Sequence, residues 1–465
     1  MSEGHDAQPE YLASSPDKEP AERTEVAEEA ATQARLDARN RAQATDQAAG
    51  TEPAAAQPST FAARFLRALW SANTVTVTVL AIALAMVLGA ILIIVSDANV
   101  RRTYSYFFTR PSDALTASWN KVADAYANLF KGAIVDPEAL AGAFNGTVRW
   151  ERVFYPISET LSYTAPLAFT GLAFAVAFRG GLFNIGVQGQ AIMGAIAAGL
   201  VGFLLPLPVG VHLLVALLAA ALAGGLYGYV PGILKARTGA HEVITTIMLN
   251  YVALFFLSWL IVQEGIQAAG RTDAISEAVH PSAELPRLLA PVGQSLRVHL
   301  GIVLAVLVVW GVAWLLGRST FGFELRAVGL NPEASRTAGM NVARTYAMVM
   351  AVAGALAGLG GATILLGTAF ALTGAVVGSA GFDGLLVGLL GRAKPWGVLL
   401  AALLFGALRA GGNQLQVGSG ISLELVSVLQ ALIVVFVAAP ALVAAIFRLR
   451  PAQAGGLETG MAKGW

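Results

Sequence analysis

The feature that most constrains this chain is a series of apolar stretches, each long enough to cross a lipid bilayer. A helix rises about 1.5 Å per residue, so about 20 apolar residues span the hydrocarbon core. One such stretch runs over about Val75–Val95. Others lie near 157–178, 183–205, 209–231, 243–263, 299–317, 345–367, 371–391, 395–410 and 421–446. Lipid offers no hydrogen-bond partner to an open backbone, so segments of this kind fold as helices. The expected fold is an all-α, polytopic membrane bundle of about ten transmembrane helices. Composition agrees, with 56% hydrophobic residues, 13% charged and a mean hydropathy of +0.65. That is too little charge to cover a soluble protein of this length. The chain has no cysteine, which excludes disulfides, thiolate chemistry and Cys-based zinc sites.

Charge is unevenly placed. Residues 1–60 hold twelve acidic and five basic side chains, against seventeen and twenty-five in the remainder. They have too few large aliphatic residues to offset the entropy of ordering. They read as a disordered, acidic cytoplasmic tail with a transient helix around Ala21–Arg41, serving either as a docking tail or as a plain solvated extension. Residues 61–156 then comprise the first transmembrane helix and a long outer segment, polar over Ser96–Tyr155. Residues 157–450 form the main transmembrane domain, with a cytoplasmic loop near 318–344, and 451–465 a C-terminal tail. Short loops rich in Lys and Arg stay in the cytoplasm. Arg64, Arg67, Arg179, Lys235, Arg237, Arg318, Arg326, Arg336, Arg344, Arg392, Lys394, Arg448 and Arg450 fall on one side if both termini are cytoplasmic and the number of spans is even. The polar segments 96–155 and 264–298 then face outward.

Four constellations stand out within the apolar body. Gly180–Gln190, GGLFNIGVQGQ, breaks a helix with four glycines and carries Asn184, Gln188 and Gln190. Irregular backbone of this kind fits either a substrate cavity at membrane depth or a cytoplasmic turn. In Glu242–Asn250, EVITTIMLN, the polar residues Glu242, Thr246 and Asn250 recur every four positions and share one helix face. Glu242 reads as an interfacial residue beside His241, and Asn250 as either a helix–helix contact or a pore residue. In the loop 318–344, Asn331 is a capping residue, Pro332 suits a first turn and Glu333 suits the positive helix end, while Gly339 is placed to stop the helix. About two turns of helix are expected there, as a docking surface or a plain capped loop. Asp383, in GSAGFDGLLVGLLGRAK, either lines a pathway or caps a helix start. Small residues four apart, Gly354 with Gly358, Ala357 with Gly361, and Gly384 with Gly388, point to close helix packing.

Absences narrow the chemistry. The sequence has no G-x-x-x-x-G-K-[ST] phosphate loop, no H-E-x-x-H and no G-x-S-x-G. Its five histidines are scattered, so no metal site and no cofactor are expected. No catalytic dyad has convincing spacing, which weighs against an intramembrane enzyme. A secondary transporter would keep deep ionisable residues; the candidates noted are Glu242, Asp383 and Glu424, each also readable as interfacial.

Taken together, GLFNIGVQGQ, EVITTIMLNY, GLNPEASRTAGMNVAR and GFDGLLVGLLGRAKPWGVLLAALLFGALRAGG resemble inner-membrane permeases of ABC importers, in the family of branched-chain amino acid and simple sugar permeases. The nucleoside-uptake branch is the nearest in pattern, over about residues 157–446. The resemblance implies a ten-helix permease in a bacterial cytoplasmic membrane, paired with a second, related permease subunit. It also implies separate ATP-binding subunits and an extracytoplasmic substrate-binding lipoprotein, with membrane lipid around the bundle and no nucleic-acid partner. Asn331, Pro332, Glu333, Ala334, Arg336 and Gly339 match the family's coupling segment, where the ATPase docks. Asn184, Gln188, Gln190, Thr246, Asn250 and Asp383 are the candidate substrate-pathway residues, and the implied mechanism is alternating access. Family members often carry Glu where this chain has Gln188, which removes a charge there. Replacing Gln188 or Asn250 by leucine is expected to impair uptake without impairing assembly. Simple sugars and branched-chain amino acids are the alternative cargoes.

Overall fold

The computed structural model describes residues 74–448, so the tail readings for 1–60 and 451–465 lie outside the described residues. The chain folds into sixteen helices among those residues: α1 (Thr74–Ser96), α2 (Ala98–Tyr104), α3 (Pro111–Ala133), α4 (Pro137–Phe144), α5 (Trp150–Arg179), α6 (Val187–Leu204), α7 (Val211–Thr238), α8 (Glu242–Leu260), α9 (Gly301–Arg318), α10 (Thr320–Leu330), α11 (Pro332–Thr337), α12 (Val342–Ile364), α13 (Ala380–Leu390), α14 (Pro395–Ser419), α15 (Leu423–Ala438) and α16 (Pro440–Ile446). Eight of them are long and apolar enough to cross a membrane: α1, α5, α6, α7, α8, α9, α12 and α14. The shorter apolar helices α13 and α15 complete a ten-helix polytopic bundle.

Two helices form its centre. Nearly every residue of α5 from Ser158 to Ala177 is buried, and α12 is buried along most of its length. The small residues explain how α12 gets close to its neighbours. A Cβ on Gly358 would collide with the Ala220 carbonyl of α7, and one on Gly354 with the Gly224 carbonyl. On its other side, Gly361 rests on the Ala191 carbonyl of α6. Gly384 and Gly388 seat α13 against Thr170 and Phe174 of α5 in the same way. The small-residue pattern therefore serves backbone-to-backbone packing.

The expected span over 371–391 is not one helix. The chain leaves α12 through a π-helical turn, Leu365–Ala369, and reverses at Phe370, whose φ is +59°. It runs as an irregular strap to Ser379, and only then forms the eleven-residue α13. A strap in an apolar setting needs partners for its backbone, and the segment 264–298 supplies them. Leu285 N–H donates to the Leu366 carbonyl at 2.8 Å, Val279 to Phe370 at 2.8 Å and Ser276 to Leu372 at 2.9 Å. In return, Leu372 N–H donates to the Ser276 hydroxyl at 2.8 Å. The strap is apolar and free of charge, FALTGAVVGS, and α13 follows it directly, so hydropathy alone reads 371–391 as a span.

The polar segment 96–155 also differs from a solvated outer loop. Ala114, Ser118, Ala125, Leu129 and Ala133 recur at helical spacing and bury one face of α3. At its middle, Lys121 pairs with Asp97 at 2.8 Å and donates to the Ser419 carbonyl at the end of α14. Further along, the Tyr126 hydroxyl donates to the Met86 carbonyl of α1. At its end, the Ala133 carbonyl accepts from the Thr160 hydroxyl of α5 at 2.6 Å. The helix α3 is thus wedged among α1, α5 and α14. The Lys121 ammonium, together with backbone N–H donors, holds the Asp97 carboxyl below its ordinary range.

Candidate functional site

The bundle is interrupted twice, at 180–186 and at 365–379, and the two interruptions meet. The turn after α5 begins with Gly180 and with Gly181 (φ +72°), which lies against Gly329 at the end of α10. It then passes inward to the start of α6. The first half of this segment is a turn at the end of α10, and Ile185 and Gln188 of its second half border a cavity.

The polar side chains of the break are engaged with each other and with backbone. Asn184 and Gln190 exchange side-chain amide hydrogen bonds at 3.0 and 3.3 Å, and Asn184 Oδ1 also accepts from Gly186 N–H. Asn250 on α8 accepts from Gly189 N–H at 2.8 Å and donates to the Ile185 carbonyl at 3.0 Å. It thereby closes the open N-terminal turn of α6. Gln188 reaches the strap instead: its Nε2 donates to the Gly378 carbonyl at 2.8 Å and its Oε1 accepts from Gly381 N–H at 2.9 Å. One amide therefore joins the start of α6 to the start of α13. Thr246 is buried against Gly186, its hydroxyl bonded within α8 to the Val243 carbonyl.

Gln188 and Asn250 border a cavity of about 480 Å3, together with Ile185, Tyr251, Phe382 and the strap residues Gly374, Ala375, Val377 and Gly378. Asn184, Gln190 and Thr246 do not border it; they fix the shape of the break behind it. Each primary amide has two N–H donors and two acceptor lone pairs. After their backbone bonds, Gln188 and Asn250 each retain one N–H and one lone pair.

A second cavity, of about 210 Å3, lies across the same strap and shares Ala375, Val377 and Gly378 with the first. Its polar lining includes Glu159, Tyr163, Arg297, Asp383, Arg409 and Gln430. Asp383 lies in the first turn of α13 and accepts from the Ser379 hydroxyl at 2.9 Å. It is at once a helix-start residue and a cavity residue. The other acidic candidates do not reach either cavity. Glu242 begins α8, next to His241, and pairs with Lys235 at 2.6 Å; Glu424 is exposed in the first turn of α15. Sequence reasoning passed over Glu159 and Arg409. Both are ionisable residues within expected spans, 157–178 and 395–410, and that was the available signal. Tyr251 and Phe382 adjoin Asn250 and Asp383, but an aromatic residue is ordinary in an apolar helix and nothing in the sequence marks these two.

The loop after α9 carries the capped helix that its sequence implies. Asn331 Oδ1 accepts from Ala334 N–H at 3.0 Å, Pro332 opens α11, and Gly339 ends the segment with φ +85°. Glu333 and Arg336 pair on its surface at 3.0 Å. Glu333, Ala334 and Arg336 are exposed, as is Leu330 just before the cap, at 82%.

Ten apolar helices, two helix interruptions meeting at a cavity, and a capped surface helix joined through Gly329 to one interruption define a membrane transport permease. Residues 157–438 match the family described as branched-chain amino acid transport system / permease component, and the chain belongs to that family. The guanosine ABC transporter permease protein NupP of Bacillus subtilis is 44% identical over 295 residues, covering 62% of this chain and 83% of its own. The nucleoside ABC transporter permease protein NupB of Lactococcus lactis is 39% identical, covering 61% of this chain and 79% of its own. The glucose ABC transporter permease protein TsgB13 of Haloferax volcanii is 34% identical, covering 61% and 76%. No solved structure matches the chain.

Proposed function

We propose that this chain is the transmembrane permease subunit of an ATP-binding-cassette importer for nucleosides, acting by alternating access in a bacterial cytoplasmic membrane with both termini in the cytoplasm. The observation that carries the cargo reading is the larger cavity. Tyr251 and Phe382 add aromatic rings to the lining beside which a nucleobase can sit, and Gln188 and Asn250 each keep a donor and an acceptor for its edge. A neutral ligand needs no fixed counter-charge there, which suits Gln rather than Glu at position 188. The guanosine and nucleoside permeases among the relatives support the same cargo.

The drive comes from elsewhere, since the sequence has no phosphate-binding loop. Separate ATP-binding subunits dock on α11 and Leu330. Their closure pushes α10, whose Gly329 bears on Gly181, and so moves the turn that leads into α6. Gln188 carries that displacement to the strap and α13. A second, related permease subunit completes the pore, and an extracytoplasmic lipoprotein delivers the substrate. The test is uptake of labelled nucleosides into cells lacking this gene, with and without complementation, against excess unlabelled sugars and amino acids. Loss of uptake on deletion, with competition by nucleosides alone, is the expected result. Intact nucleoside uptake overturns the cargo. Competition by glucose favours the second reading, a simple-sugar permease, which the 34% identity to a glucose permease supports.

A further inference from the structure

We propose that the smaller, charged cavity is a binding site for a vicinal diol, with the Glu159 carboxylate as the acceptor that reads it; the ribosyl source of that diol rests on the nucleoside reading above. Glu159 lies nine residues into α5, roughly 14 Å along the helix from its first turn. It is 5% exposed. Its Oε2 accepts from Arg297 Nη1 at 3.3 Å, and its Oε1 is buried with no hydrogen-bond partner among the described residues. Arg–carboxylate pairs frequently engage both oxygens in a fork. Here one oxygen is held and the other is buried with no donor among the described residues, on a side chain that borders both this cavity and a neighbouring one lined by Lys131, Arg152 and Asn413; a buried acceptor left without a donor is costly.

The charges around the cavity select the ligand. Glu159 and Asp383 are matched by Arg297 and Arg409, so the lining carries no excess charge for a free ion. Arg409 has no ion-pair partner within 4.0 Å among the described residues, and it brings donors to the same space. Tyr163 and Gln430 add a hydroxyl and an amide. The complement is a neutral group whose adjacent hydroxyls donate to a carboxylate oxygen and accept from a guanidinium, which is a vicinal diol. The cavity across the strap has no charged lining residue, and Ala375, Val377 and Gly378 border both. Such a diol arrives either on a ribosyl ring or on a free sugar.

The experiment compares uptake of labelled guanosine, 2′,3′-dideoxyguanosine, ribose and glucose in deletion cells complemented with wild type or Glu159→Gln. A site built to bond a hydroxyl rejects analogues that lack it. The expected result is that Glu159→Gln lowers guanosine uptake about tenfold or more, through KM, while dideoxyguanosine uptake, already low, changes less than about twofold. Equal losses for guanosine and dideoxyguanosine, or no loss for guanosine, overturn the diol site. If nucleosides are not carried by wild type but ribose or glucose uptake depends on Glu159, the nucleoside reading falls and the diol site stands. If no diol-bearing substrate depends on Glu159, the diol site falls whatever the cargo. Thermal unfolding of the assembled wild-type transporter with guanosine and with dideoxyguanosine covers the case in which the variant does not fold. Stabilisation by guanosine alone supports the proposal, and equal effects contradict it.

Discussion

At the residue scale, Asn250 shows how a candidate pathway residue also holds the fold. Its amide satisfies Gly189 N–H and the Ile185 carbonyl at the break before α6. The Asn250→Leu substitution orphans both, at a cost of about 1–3 kcal/mol for each group that stays dry. The expectation of impaired uptake with intact assembly therefore changes. Asn250→Leu lowers the thermal unfolding midpoint as well as uptake, whereas Asn250→Asp keeps the acceptor for Gly189 and loses less. Equal midpoints for Asn250→Leu and wild type, measured in detergent, would remove the capping role. His299, just ahead of α9, makes a pH prediction. Burial, with the Arg297 charge second, pushes its pKa from 6.5 down to about 4. Its Nδ1 accepts from Gly301 N–H, so the neutral ring carries its proton on Nε2. The unfolded chain takes up that proton near pH 6.5 and the folded chain only near pH 4. Stability from this group is therefore full above about pH 6.5 and declines as pH falls toward 4. Unfolding midpoints compared between pH 7 and 5 should slope less in His299→Gln than in wild type, and identical slopes would contradict the assignment.

At the scale of elements, the α7–α12 contact is the least forgiving. Gly358→Leu places a side chain where the Ala220 carbonyl already lies. Overpacking of this kind costs about 1–3 kcal/mol or more. The variant is expected to lose its monodisperse elution in detergent, and a normal profile with normal stability would show that the two helices separate freely. The segment proposed for docking gives the opposite kind of variant. Leu330 is exposed at 82%, so Leu330→Asp should leave thermal stability of the permease unchanged while reducing co-purification of the ATP-binding subunits severalfold. Unchanged co-purification would move the docking site elsewhere. These elements were legible to different degrees. Asn331, Pro332 and Gly339 dictate a cap, a first turn and a stop through their own backbone chemistry, so α11 was readable locally. The burial of α3 was not, because its apolar face is mostly alanine, which adds little to hydropathy yet packs closely. The strap at 370–379 was unreadable for a related reason. Its backbone is satisfied by Ser276, Val279 and Leu285, about ninety residues earlier in the chain, and no local pattern records such pairings.

At the scale of the whole molecule, the account joins three places: the surface helix α11, the break before α6, and the strap between two cavities. The contact of Gly329 with Gly181 and the Gln188 bonds to Gly378 and Gly381 make that connection continuous. Its central claim is that the cavity between α8 and the strap carries the nucleoside. The absence of cysteine makes a direct measurement available. Gly374 borders this cavity, and nothing lies within 4 Å of a Cβ placed on it, so Gly374→Cys adds a single thiol at little structural cost. The measurement is the rate at which a water-soluble thiol reagent modifies that cysteine in membranes holding the assembled transporter. The account predicts that saturating nucleoside slows modification several-fold while leucine does not, and that ATP changes the rate. Modification that is fast, and equally fast with and without nucleoside in a transporter that takes up nucleosides, would place the pathway elsewhere in the molecule.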